Sequence, residues 1–386
     1  YSVAVNEATP ANKNIIQVFA TDKDTGTNAL ITYSLHSKSN SVAQHFGIHS
    51  DGKVFLRFKL DREVKDIYYV TITAADHGVP VRTAQADLTV YVFDDNDNGP
   101  KFNQSQGYTF SIFENQENGT FVGRLFATDN DIGTNALLRY KFDSPNAEFA
   151  LNSISGEIRT IQVLDREKTS SYDLMAVVSD SGTSPRVDKA KVIVIIKDLN
   201  DNNPRFEQGS YSASVLENVP VGTTIVTVSA IDPDDGPNGK LTYSIITGDE
   251  HKLFQIDSHS GVIKTAAALD REQKDLYVLS VEARDSGIPD KSNSRMVYVN
   301  VFDVNDNHPI FTNNNSKPVY LQEKDPPGTY VTTVTAIDKD DEKNGQVWYK
   351  IVKGNIGKFS FPCQNFCPYL IFKRCYVCYN STVKLY

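Results

Sequence analysis

Short runs in which apolar and polar residues alternate recur throughout this chain. Tyr68 to Ala74 and Leu276 to Ala283 alternate in the manner of half-buried strands. Leu88-Thr89-Val90-Tyr91-Val92-Phe93, Lys191 to Ile196 and Met296 to Phe302 are further β-branched and aromatic runs. No long stretch carries a helical period, so the pattern predicts an all-β chain built from short strands. The last three runs each lead directly into a cluster of Asp and Asn closed by Pro, a composition that favours turns and blocks ladder pairing.

That cluster is one landmark of an internal repeat. It reads Asp94-Asp95-Asn96-Asp97-Asn98-Gly99-Pro100, then Asp198-Leu199-Asn200-Asp201-Asn202-Asn203-Pro204, then Asp303-Val304-Asn305-Asp306-Asn307-His308-Pro309, at a spacing of about 105 residues. Other landmarks keep the same period. Tyr-x-x-x-Val-x-Glu or a close variant ends at Glu7, Glu114 and Glu217, with Tyr320 to Glu323 as a shortened copy. Asp-x-Asp with a following Asn occurs as Asp22, Asp24, Asn28; Asp129, Asp131, Asn135; Asp232, Asp234, Asn238; and Asp338, Asp340, Asn344. Leu-Asp-Arg-Glu supplies Asp61 and Glu63, Asp165 and Glu167, Asp270 and Glu272, and Asp-x-Gly follows at Asp76, Asp180 and Asp285. The period divides the chain into repeats over residues 1–97, 98–201 and 202–306 and a partial, divergent one over 307–386. Seven or so short strands per period fit tandem Greek-key, immunoglobulin-like β-sandwiches, although the Cys…Trp…Cys pattern of an immunoglobulin domain is missing.

Composition narrows the function classes. With 39 Lys and Arg against 48 Asp and Glu, the formal charge of -9 argues against nucleic-acid binding, and 40% hydrophobic content is enough for packed cores. The first 362 residues hold no Cys, so these sandwiches rest on cores and ligands rather than disulfides. No apolar run reaches the roughly eighteen residues of a membrane span. Sequons at Asn103, Asn118, Asn314 and Asn380 give weak support for secretion. The chain starts at Tyr1 inside a recurring motif, and Asp22, Asp24, Asn28 and Asp76 form the upper half of a junction. Both point to an excerpt of a longer protein with a further repeat before Tyr1.

The motifs, in this order and spacing, resemble the extracellular repeats of the cadherin superfamily. Fat-like, Dachsous-like or protocadherin members look nearer than cadherins that swap a Trp-anchored N-terminal strand, since the single Trp here is Trp348. The resemblance implies three calcium ions at each joint between repeats. It assigns Glu7, Asp61, Glu63, Asp94, Asn96, Asp97, Asp129, Asp131 and Asp180 to the first joint, with Asp95, Asn98 and Asn135 offering carbonyls. The second takes Glu114, Asp165, Glu167, Asp198, Asn200, Asp201, Asp232, Asp234 and Asp285, with carbonyls of Leu199, Asn202 and Asn238. The third takes Glu217, Asp270, Glu272, Asp303, Asn305, Asp306, Asp338 and Asp340, with carbonyls of Val304, Asn307 and Asn344, and lacks its closing Asp-x-Gly.

The chemistry agrees with that assignment, because hard cations take six to eight oxygen ligands. The second joint gathers eight carboxylates (Glu114, Asp165, Glu167, Asp198, Asp201, Asp232, Asp234 and Asp285), which repel without metal; three doubly charged ions would leave a net charge near -2. The expectation is a stiff, curved rod with calcium and a loose string without it. The resemblance implies as function calcium-dependent cell–cell adhesion on the outer face of the plasma membrane, by a single-pass membrane protein binding another cadherin ectodomain in trans. No small-molecule substrate is expected. The alternative is a non-adhesive rigid spacer in a giant surface receptor.

A single Asp-Asn cluster is ordinarily a solvated turn; three in register with four partner motifs are not. Arg62, Arg166 and Arg271 cannot ligate a cation and read as structural partners of the neighbouring Glu. Asp24-Thr25-Gly26, Asp180-Ser181-Gly182 and Asp285-Ser286-Gly287 mimic an aspartic-protease triplet, but they sit inside the repeated motifs at two different repeat positions, so no enzyme is expected. After Trp348 the pattern breaks. Cys363, Cys367, Cys375 and Cys378 leave open a zinc site, two disulfides in any of three connectivities, or an altered splice or reading-frame product. Poor order is expected after about residue 350.

Overall fold

A computed structural model of the chain describes residues 1–36, 44–312, 326, 330 and 332–349. The Cys-containing tail, with the expectation of poor order there, and the shortened copy at 320–323 lie outside these residues. The described part is nearly all β, with one short 3-10 turn at Gly26–Ala29. Two compact units divide it, Tyr1–Leu199 and Asn200–Tyr386.

The first unit holds two sandwiches. In the first, Ser2–Asn6 lies parallel beside Thr83–Phe93, which pairs antiparallel with Ile67–Ala75, itself paired with Thr32–His36. The opposing sheet is Asn14–Gln17, Lys53–Leu56 and Phe46–Ile48. The second sandwich repeats this arrangement. Tyr108–Phe113 runs parallel to Val187–Lys197, followed by Ser171–Ser179 and Arg139–Phe142, against a sheet of Phe121–Arg124, Glu157–Thr160 and Phe149–Leu151. A two-residue pair, Lys101–Phe102 with Ala127–Thr128, joins linker to sandwich.

The second unit contains the same sandwich once more. Its four-stranded sheet is Tyr211–Leu216, Ser292–Phe302, Leu276–Arg284 and Thr242–Thr247, and its three-stranded sheet is Thr224–Thr227, Val262–Thr265 and Phe254–Ile256. Ile310–Phe311 pairs with Ala336–Ile337, matching the linker pair of the second sandwich. The first repeat has seven strands, and the second and third have nine because each adds a two-residue pair, Lys101–Phe102 with Ala127–Thr128 and Arg205–Phe206 with Ala230–Ile231, too short to show a period.

Alternation explains which face is buried. In Val187–Lys197 the side chains of Ala190, Val192, Val194 and Ile196 are enclosed, while Lys189, Lys191, Ile195 and Lys197 face out. The inward set packs on Val122, Phe149 and Ile158 from the facing sheet and on Leu125 just beyond it. Full burial of each such side chain stabilises by about 1.5–3 kcal/mol. Equivalent cores form around Val54, Leu56, Leu88 and Val90, and around Ile263, Leu279, Val297 and Val299.

Candidate metal centres

The candidate ligands sit on loops at the ends of these sandwiches, and buried or half-buried tyrosines fix where the loops begin. The Tyr140 hydroxyl accepts the Ala127 N–H at 3.0 Å, two residues before Asp129. Tyr33, Tyr243 and Tyr349 do the same for Ala20, Ala230 and Ala336, each two residues before the first Asp of its Asp-x-Asp. The sequence reading missed this pin, although a Tyr five residues after each motif Asn was visible at the repeat period.

The conserved-period Glu is held with equal firmness. Glu7 is only 2% exposed; its Oε2 accepts the Arg62 N–H and its Oε1 the Asp95 N–H, both at 2.7 Å. Glu114, fully buried, accepts N–H groups from Arg166 and Leu199 at 2.8 and 2.9 Å, and Glu217 those of Arg271 and Val304 at 2.8 and 2.7 Å. Each such carboxylate therefore ties the first strand to the Leu-Asp-Arg-Glu turn and to the linker. Asp61, Asp165 and Asp270 stabilise that turn by accepting the N–H three residues on.

The geometry gathers the sequence-derived residues into sets. In the first unit, Glu7, Glu63 and Asp94 bring one oxygen each within 4.8 Å of one another, as do Glu63, Asp97 and Asp131, and Glu114, Asp165 and Glu167. In the second unit Glu217, Asp270 and Glu272 form the same set. Linker and following sandwich interlock: Asp131 Oδ1 accepts the Asn98 side-chain amide at 2.9 Å, and Asp340 Oδ1 accepts that of Asn307 at 2.8 Å. Asp234 likewise accepts from Asn202 at 2.7 Å, and Asp338 Oδ1 accepts the Asp340 N–H at 3.1 Å. Asn135 and Asn344 donate to the linker carboxylates Asp94 and Asp303 at 2.8 and 2.9 Å.

Asp180 and Asp285 orient the linker Asn. Asp180 takes N–H groups from Gly182 and Arg186 and, at 3.1 Å, the Asn96 Nδ2; Asp285 takes those of Gly287 and Lys291 and, also at 3.1 Å, the Asn200 Nδ2. Each Asn amide thereby gives its Nδ2 to the Asp carboxylate and leaves its Oδ1 without a hydrogen-bond partner among the described residues. A Cβ on Gly182 would lie 2.4 Å from Asn96 Nδ2 and 2.6 Å from Asn135 Oδ1, which is why that motif ends in Gly. Gly182→Ala is expected to leave the core intact but to push Asn96 aside, an overpacking cost of about 1–3 kcal/mol. Calcium titrations of thermal melts check this: a lowered melt in chelator together with a weakened calcium response is the expected result. Asn305 in the third linker is exposed, where Asn96 and Asn200 are half-buried.

Six buried side-chain oxygens have no hydrogen-bond partner among the described residues: Asn96 Oδ1, Asp129 Oδ2, Asp131 Oδ2, Asn200 Oδ1, Asp232 Oδ2 and Asp340 Oδ2. All six belong to the residues read from the sequence as ligands. An unpaired buried acceptor is costly, so this concentration fits a bound cation. The donor set is oxygen only, as calcium requires.

Electrostatics point the same way. Burial, then the charge of Glu7, pushes the Glu63 and Asp97 carboxyls above the usual carboxylate range. Burial, then Asp129 and Asp94, raises Asp131; burial with Asp234 and Asp285 raises Asp232; burial with Glu217 raises Glu272. For Asp303 burial opposes the charge, but hydrogen bonds from Asn344, Asp341 and Arg271 outweigh it and lower the value. The five raised groups have folded values above their unfolded ones. Without metal, their contribution to stability is complete below about pH 4 and is lost as pH rises through the raised values. A cation favours the deprotonated forms, so the calcium-induced rise in melting temperature should shrink as pH falls toward the carboxylate range near about pH 4. An increment independent of pH would contradict proton–metal competition at these groups.

Comparison with known proteins places this geometry. The family model for the cadherin domain matches residues 1–93, 108–197 and 211–302. Protein dachsous of Drosophila melanogaster is 43% identical over 327 residues, 81% of this chain and 9% of that protein. Human protocadherin Fat 4 is 37% identical over 368 residues, 93% of this chain and 7% of that protein. The chain thus spans about a tenth of the length of such relatives. The crystal structure of mouse cadherin-23 EC22-24 superposes with a TM-score of 0.67 at 34% identity, covering 79% of this chain and 96% of that one. The protocadherin gammaB4 extracellular domain gives 0.75 at 30% identity, covering 98% and 61%. The matching family is not a catalytic one. Sandwich topology, repeat period and sequence agree, and the chain belongs to the cadherin family as a run of tandem cadherin repeats of the Fat, Dachsous and protocadherin type.

Proposed function

We propose that this segment is a calcium-stiffened part of an adhesive ectodomain, displayed on the outer face of the plasma membrane and binding another cadherin ectodomain in trans. Repeats bounded at 97/98, 201/202 and 306/307 are its mechanical units. The reading rests above all on the six unpartnered buried oxygens, which coincide with the motif residues. Calcium bound there supplies positive charge to carboxylates that otherwise repel one another. Glu7, Glu63, Asp94, Asp97 and Asp131 would hold it at the first joint, with Asn96, Asp129 and Asp180; the residues at the corresponding repeat positions serve the others. The chain's own part is preorganisation. Backbone N–H groups fix the Glu carboxylates, and the Asp-x-Gly loops aim the linker Asn oxygens.

Two measurements test this reading. Asp201→Ala, which removes an expected shared ligand but no core packing, should lower the melting temperature only when calcium is present; equal loss in chelator would remove Asp201 from the metal site. Beads coated with the chain should aggregate in millimolar calcium and disperse in chelator. Calcium-dependent stiffening without aggregation favours the spacer reading for this segment.

A further inference from the structure

We propose that Arg62 and Arg271, the arginines of the first and third Leu-Asp-Arg-Glu motifs, are positioning residues that tie consecutive sandwiches together without metal. In the first unit the Arg62 side chain reaches three parts of the chain. Its Nε donates to Asp94 Oδ1 in the linker at 2.5 Å, and its Nη2 pairs with Glu63 of its own repeat. The same Nη2 donates at 2.9 Å to the carbonyl of Asn130, which lies between Asp129 and Asp131 of the next sandwich. In the second unit Arg271 repeats the pattern. Nε meets Asp303 at 2.7 Å; Nη2 meets Glu272 at 2.6 Å and the carbonyl of Lys339, between Asp338 and Asp340, at 3.0 Å. Both side chains are largely enclosed, at 11% and 15% exposure.

The linker carboxylate is gripped from the far side as well, by Asn135 on Asp94 Oδ2 and by Asn344 on Asp303 Oδ2. One acid is therefore held between a donor from the preceding sandwich and a donor from the following one, at two independent joints. A guanidinium can do this because its N–H groups leave along a fixed planar fork; an ammonium is a single point charge and cannot serve the same directions. Metal ligation gives no reason for a cation at this position, since a cation cannot ligate one. The latch gives that reason: it offsets acid charge and holds the linker before any ion arrives. The latch stands without the calcium reading. A second consequence, that a partly assembled site binds calcium more tightly, rests on that reading.

The test uses the full chain with spin labels on non-natural side chains at the exposed positions Lys13 and Lys141, leaving the Cys residues untouched. Wild type, Arg62→Lys and Arg62→Met are compared in chelator and in calcium. The main-chain N–H of residue 62 persists in both variants, so Glu7 keeps that hydrogen bond. Both variants should show a chelator-state distance distribution roughly twofold wider than wild type, as expected when one of the few ties between domains is lost. Lysine should not rescue, the melting of the sandwich cores should not change, and calcium affinity should fall about tenfold. Equal widths in chelator for all three proteins would overturn the latch, whatever happens to calcium affinity. Absence of calcium binding by the wild type would overturn the calcium reading instead and leave the latch to be decided by the chelator data.

Discussion

Glu114→Ala is expected to destabilise the second repeat by about 3 kcal/mol even in chelator, because it strips two part-buried backbone N–H groups of their acceptor at about 1–3 kcal/mol each. Those donors are Arg166 and Leu199, and the side chain is fully buried. In calcium the loss should be larger still, since Glu114, Asp165 and Glu167 converge. Denaturant melts in both conditions measure the two parts separately. A variant that matches wild type in chelator would show that Glu114 has no structural role. The contrast with Asp201→Ala is the useful one: an exposed motif acid should matter only with metal, a buried one in both states.

Removing calcium should have the other large effect. For affinities of about 10⁻⁴–10⁻³ M, roughly 2 mM calcium stabilises by about 0.6–1.8 kcal/mol per ion. With three ions at a joint, the sum is several kcal/mol, enough to shift the melting temperature by many degrees. Magnesium at the same concentration should restore little of this, because it demands a tight octahedron and gives up water reluctantly. Calorimetric melts in chelator, magnesium and calcium check the order; equal recovery in both ions would mean diffuse charge screening rather than defined sites.

Much of this architecture was legible in the sequence. The repeat period located every candidate acid, and alternation found the cores of the long strands. Boundaries fared worse. Met296 to Phe302 was the visible part of a strand that begins at Ser292, because Ser292, Asn293, Ser294 and Arg295 carry no apolar signal. Its ladder is completed by pairing with Leu276–Arg284 rather than by its own composition. The parallel pairing of Ser2–Asn6 with Thr83–Phe93 joins residues far apart in the chain and leaves no local trace. At the joints, sequence named the candidate ligands but not what aims them. The Arg62 and Asp95 N–H groups on Glu7, the Tyr140 pin before Asp129 and the space kept by Gly182 all depend on folded geometry. Arg62 itself read as a partner of Glu63 alone; its reach to Asn130 appears only in three dimensions.

The central claim is that divalent metal locks neighbouring repeats through oxygens contributed from both sides. Small-angle scattering of the full chain, calcium-loaded and then stripped, tests it most directly. The expected outcome is a change to a broader, more flexible scattering profile on stripping, reversed when calcium is returned. Superimposable profiles in the two states would contradict the account.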